Sequence, residues 1–72
     1  MEKEFQKEKK YVFKGSLDLV ERKKGILLKS NELGKFIKYI DLAYHGEFYE
    51  KGKAEFELGF VNFPYYDKVE EV

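Results

Sequence analysis

The 72 residues predict a small all-β domain, a five-strand antiparallel meander curled into an open barrel of the SH3 or OB type. Three observations carry that reading. Apolar and polar residues alternate strictly from Lys10 onward, glycines fall where tight hairpins need them, and no cysteine is present to staple the fold. Phe, Leu, Ile and Val make up 22 of 72 residues, above the roughly 20% below which chains stay disordered. A domain this short buries only about 60% of its unfolded surface, so its core is small.

Residues 1–9 are charged and without an apolar period, and are expected as a flexible arm, with Phe5 the one residue able to dock. Residues 10–66 form the single β domain, and 67–72 an acidic tail. Tyr11, Phe13, Gly15, Leu17 and Leu19 point one way along a long first strand that bends at Gly15. Arg22 to Gly25 reads as a four-residue hairpin loop, with Gly25 in positive φ, leading to a second strand from Ile26 to Ser30. That register sets Leu19 opposite Leu28 and Glu21 opposite Ile26, and leaves Val12, Val20 and Leu27 on the other face.

Residues 31–44 fit two patterns. Leu33, Phe36, Ile37, Ile40 and Tyr44 have helical spacing, so an α+β fold with a helix at about 32–44 is the alternative. No capping box precedes them, Gly34 would cost a helix about 1 kcal/mol, and Phe-Ile-Lys-Tyr-Ile is rich in strand formers, so strand is expected. Tyr44, Gly46 and Phe48 then alternate inward, Glu50-Lys51-Gly52 turns, and Ala54, Phe56, Leu58 and Phe60 alternate inward again. Pro64 ends the sheet. The expected core is Phe13, Phe36, Phe48, Phe56 and Phe60, with Tyr39, Tyr49, Tyr65 and Tyr66 at the surface.

Fourteen basic and fourteen acidic side chains cancel, but residues 1–38 carry net +5 and residues 39–72 net −5. Lys and Glu supply 24 residues while Asn, Gln and Met total four and Thr is absent, a thermophile-like composition. No apolar run approaches the roughly 20 residues of a membrane span, and the first ten residues lack the apolar stretch of a secretory signal. A soluble, cytoplasmic protein is expected.

The expected register puts His45 opposite Glu57 and Glu47 opposite Glu55, an acidic sheet face or a weak metal pair. Only Ser16 and Ser30 are available as hydroxyl nucleophiles, neither near His45, and no phosphate-binding or zinc-protease motif occurs. No catalytic residue, metal or cofactor is therefore expected. The expected function is a non-enzymatic module that binds another protein, an adaptor, accessory subunit or inhibitor of the kind a phage or virus carries. Its candidate contacts are Phe63, Tyr65, Tyr66 and Tyr49, with Glu47, Glu55 and Glu57. Two alternatives stand beside it. Lys23, Lys24, Lys35, Lys38 and Tyr39 fit single-stranded nucleic-acid binding, and the second apolar face (Val12, Val20, Leu27) fits a structural homodimer.

Overall fold

The computed structural model describes residues 4–25 and 31–72, and for Ala43, His45 and residues 48–51 the backbone alone. The expected strand from Ile26 to Ser30, with Leu27 and the pairings of Leu19 and Glu21, lies outside these residues. Six strands are seen where five were expected: β1 (Lys10–Phe13), β2 (Val20–Arg22), β3 (Glu32–His45), β4 (Phe48–Phe56), β5 (Gly59–Asn62) and β6 (Val69–Glu71). They form one curled, half-barrel sheet in the order β2-β5-β4-β3-β1-β6, every strand pairing antiparallel. The all-β class holds. Only β3, β4 and β5 form the expected meander.

The long first strand is broken, and the break corrects the faces. Ser16 Oγ accepts the Asp18 N–H and the Leu19 N–H donates to the Ser16 carbonyl, winding Leu17–Leu19 into a 3-10 helix. A Cβ at Gly15 would lie 2.7 Å from the Phe13 ring, so the chain turns at the one residue that permits the approach. The helical turn shifts the two-residue period. Val20, expected outward, is buried in the core at 6% exposure, while Leu17 and Leu19 are half-buried against it.

The two ends of the chain complete the sheet. Tyr11, Val12 and Phe13 pair with Glu71, Glu70 and Val69, and the Lys14 N–H donates to the Lys68 carbonyl at 2.6 Å. Farther along, Val20, Glu21 and Arg22 pair with Val61, Phe60 and Gly59. Seven steps separate Phe13 from Val20 and eight separate Val61 from Val69, so the two pairings are spaced almost equally along both segments. The 3-10 helices Leu17–Leu19 and Phe63–Lys68 lie between the two pairings, one on each segment. Since β1 also pairs with β3 and β5 with β4, the chain links both ends of the sheet and curls it. Residues 67–72, expected as a tail outside the domain, instead supply β6, and Val69 is fully buried. Residues 4–9, expected as an arm, lie on the body with Phe5 buried.

Residues 32–45 are strand, as expected, and the helix alternative falls. The helical look has a physical origin. Opposite β1 one extra residue, Leu33, is inserted between the partners of Tyr11 and Val12, and opposite β4 another, Ile37, between the partners of Phe56 and Glu55. These bulges carry Leu33, Phe36 and Tyr39 to the core side at intervals of three, the spacing that imitates a helix.

The β3–β4 turn is not where the glycine pattern placed it. Gly46-Glu47 form a two-residue loop, Gly46 at φ +65 in the first position as a type II′ hairpin requires, and Tyr44 pairs with Tyr49 rather than Leu58. Gly52 lies inside β4, where it permits a close backbone approach, since a Cβ there would sit on the Asp41 carbonyl oxygen. Both glycines are needed, in exchanged roles.

The core comprises Phe5, Tyr11, Phe13, Val20, Leu33, Phe36, Ala54, Phe56, Val61, Tyr66 and Val69, and apart from the tyrosine hydroxyls no polar or charged side chain among the described residues is buried. Phe60, expected inside, is half-buried on the outer face, because the tight corner at Glu57-Leu58 reverses the alternation and turns Val61 inward.

Candidate functional site

The 63–66 aromatic cluster is the leading candidate from the sequence, and its rings divide. Pro64 sits in the first turn of the 3-10 helix Phe63–Lys68, which turns Tyr66 inward to 3% exposure. Its ring lies 5.1 Å from Phe5, 6.1 Å from Tyr39 and 5.4 Å from Phe63. Tyr66 is therefore a core residue, which corrects its surface assignment. Phe63 and Tyr65 are half-buried against the core with part of each ring at the surface.

Phe5 stands at the centre of this aromatic group. Its ring lies 5.1–6.0 Å from Tyr11, Phe36, Tyr39, Phe56 and Tyr66. The Phe5 N–H donates to the Tyr39 hydroxyl at 2.7 Å and the Gln6 N–H to the Tyr11 hydroxyl at 2.9 Å. Two tyrosines thus present apolar rings to the core and polar ends to the arm's backbone. Tyr39, expected as an exposed stacking platform for a nucleic-acid base, is half-buried in this role.

The expected acidic face is dispersed. Glu47 is exposed in the β3–β4 turn. Glu55 pairs in the ladders with Lys38 and Phe60, and its carboxylate lies 2.8 Å from Lys23 Nζ. Glu57 is exposed at the β4–β5 corner, accepting the Lys35 N–H at 2.7 Å. His45 faces Phe48 in the ladder instead of Glu57, and Tyr49 faces Tyr44. The like-charge pairing of Glu47 with Glu55 does not arise.

Opposite charges instead meet on the outer face of β2, β4 and β5. Lys53 Nζ donates to Glu21 at 2.8 Å and lies 3.9 Å from Asp41. Lys23 and Lys53 both stand 5.7 Å from the Phe60 ring centre, at cation–π distance. The hydrogen bond to Glu21 holds the Lys53 ammonium above the usual lysine range against partial desolvation, with added attraction from Glu21 and Asp41. The basic residues named for nucleic acid are similarly engaged: Lys23 with Glu55, Lys35 at 3.7 Å from Glu8, and Lys38 opposite Glu55. Lys24 is exposed in the turn with Gly25, whose φ of +80 is the positive value expected there, while Arg22, expected in that loop, is the last residue of β2.

A third surface was not foreseen. β5 pairs with β4 only at residues 53–55, and β1 with β3 only at 32–35. Beyond these points, among the described residues, β3 and β4 pair only with each other through Leu42↔Lys51, Ala43↔Glu50, Tyr44↔Tyr49 and His45↔Phe48. Among the described residues this stretch is a two-stranded ribbon. Leu42 and Tyr44, two residues apart and so on one face, are 61% and 62% exposed. The misplaced turn hid them, since it put Tyr44 against Leu58. The available signal was Gly46, the better residue for a two-residue hairpin loop.

Among the described residues no cluster of His, Asp or Glu could hold a metal ion, and no helix is long and apolar enough to cross a membrane. Comparison with protein-family models, curated proteins and solved structures finds no match for this chain.

Proposed function

We propose that this chain is a small non-enzymatic protein-binding module, an adaptor, accessory subunit or inhibitor, that docks through the β3–β4 ribbon. The observation that carries the reading is the exposure of Leu42 and Tyr44 on a hairpin with no further strand beside it among the described residues. Two-stranded ribbons are marginal in water, and apolar residues presented together on one favour a partner that covers them. Tyrosine brings large contact area with a polar end, as interface cores use. Residues 40–51 hold three carboxylates, Asp41, Glu47 and Glu50, against Lys51, so the fitting partner is a protein with an apolar groove and a basic rim. Phe63 and Tyr65 remain a secondary contact surface, whereas Tyr66 belongs to the core.

Pull-down from native lysate, with and without nuclease, tests this using the wild-type chain and the double variant Leu42→Ser, Tyr44→Ser. The expected result is a protein that survives nuclease with the wild type and is lost with the variant, the melting temperature being unchanged. Equal retention by the variant overturns the ribbon as the docking site. Recovery of nucleic acid, with all proteins lost on nuclease treatment, overturns the protein-binding reading in favour of the Lys24, Lys35 and Lys38 surface.

A further inference from the structure

Residues 4–9 occupy a slot that any second copy of the chain could fill with the same segment. Phe5 enters the ring of Tyr11, Phe36, Tyr39, Phe56 and Tyr66, and the Tyr39 and Tyr11 hydroxyls accept the Phe5 and Gln6 backbone N–H groups. Lys7 bridges to Phe36 in parallel, and the Phe36 N–H donates to the Lys9 carbonyl at 3.1 Å. These are the contacts of a short bound peptide, made within one chain.

The connection that returns the segment to its own slot is the strained part. The Lys9 N–H donates to the Gln6 carbonyl in a tight turn whose Glu8 stands at φ +72, a left-handed conformation that a residue with a Cβ adopts only at a cost. An open cavity of about 360 Å³ lies at this turn, lined by Lys7, Glu8, Lys35, Phe36, Ile37 and Glu57, so the turn is thinly packed on the body. Between Glu4 and Lys10 only Phe5 is buried. Opened to an extended strand, the four steps from Phe5 to Lys9 reach about 13 Å.

We propose that the aromatic slot is an exchange site: residues 4–7 of one copy insert Phe5 into the slot of a second copy, and reciprocally, giving a two-fold dimer. The Phe5 ring contacts and the hydroxyl hydrogen bonds of the closed monomer are kept between copies, and only the Lys9–Gln6 hydrogen bond of the turn is given up. The Glu8 turn is relieved, and zero net charge places no overall repulsion between copies. The occupant is a second copy because the slot's apolar lining and both hydroxyl acceptors match this segment. The inference is independent of the ribbon reading.

The test uses the full chain at millimolar concentration, mixing isotope-labelled and unlabelled protein and recording filtered nuclear Overhauser contacts. Contacts between the Phe5 ring of one copy and Phe36, Tyr39 or Tyr66 of the other are expected, together with a dimer by light scattering. Glu8→Gly, which adopts positive φ freely, should raise the dimer dissociation constant at least about fivefold, matching a strain difference of about 1 kcal/mol. Deleting Glu8, which keeps residues 4–7 and leaves the link to β1 too short to turn back, should lower it at least about tenfold. A monomer in all three chains overturns the proposal, as does a dimer without intermolecular Phe5 contacts.

Discussion

Replacing Phe5 by Ala tests whether the N-terminal segment belongs to the folded domain. The ring is 6% exposed and touches five others at centroid distances of 5.1–6.0 Å. Truncating a buried Phe costs about 3–5 kcal/mol. Loss of the ring lets the segment lift away and opens the slot to water instead of leaving a closed void. The low end, about 3 kcal/mol, is therefore expected. For a domain of this size each kcal/mol moves the melting temperature by about 4–8 °C, which predicts a fall of about 12–24 °C. Urea unfolding followed by circular dichroism at low micromolar concentration gives the free energy directly. Phe5→Leu, which keeps most of the apolar volume, should lose about 1–1.5 kcal/mol. A loss below about 0.5 kcal/mol for Phe5→Ala would place the segment outside the folded domain, because the ring would then contribute no more than an ordinary surface residue.

Other substitutions read separate features. Gly52→Ala should cost about 2–3 kcal/mol, because its Cβ meets the Asp41 carbonyl, whereas Gly25→Ala meets nothing within 4 Å and should cost only the about 1 kcal/mol of its positive φ; urea midpoints that reverse this order would contradict the ladder register. Tyr66→Ala should lose about 3–5 kcal/mol in the same assay and Tyr65→Ala less than about 1.5, reflecting their inward and half-exposed placements. Lys53 contributes stability that is fully present below the ordinary lysine pKa of about 10.4 and is lost as pH rises through its raised folded value. Lys53→Met should therefore cost under about 1 kcal/mol at pH 9, and its difference from wild type should shrink by pH 11.5; a difference that grows with pH would show the sign to be wrong.

The all-β class was legible because strand alternation survives in most segments, and Phe13, Phe36 and Phe56 were recognisable as core. What misled was wherever the backbone breaks its period. The Ser16 cap inserts a helical turn that carries Val20 inward, and the bulges at Leu33 and Ile37 give a strand the spacing of a helix. A single-residue slip of this kind exchanges every side chain between faces, and alternation alone does not mark where it falls. Gly46 and Gly52 posed the same difficulty. Composition shows that a glycine is needed, but not whether it serves positive φ or a close backbone approach. The misassigned turn then propagated, pairing Glu47 with Glu55 and hiding the exposed Leu42 and Tyr44. Phe5 and Val69 were hard to place because their charged neighbours have no period; tertiary packing alone draws them in.

Site-specific photo-crosslinking decides whether the ribbon is the docking surface. A benzoyl-phenylalanine installed at Tyr44 is compared with one at Tyr65, both in otherwise wild-type chains irradiated in native lysate. Tyr44 is 62% exposed on the ribbon, and Tyr65 is half-buried beside the core. A discrete protein adduct from position 44, lost when Leu42→Ser is added and absent from position 65, is the expected result. An adduct from position 65 alone would rule out docking through the ribbon and return the binding surface to the Phe63–Tyr65 edge.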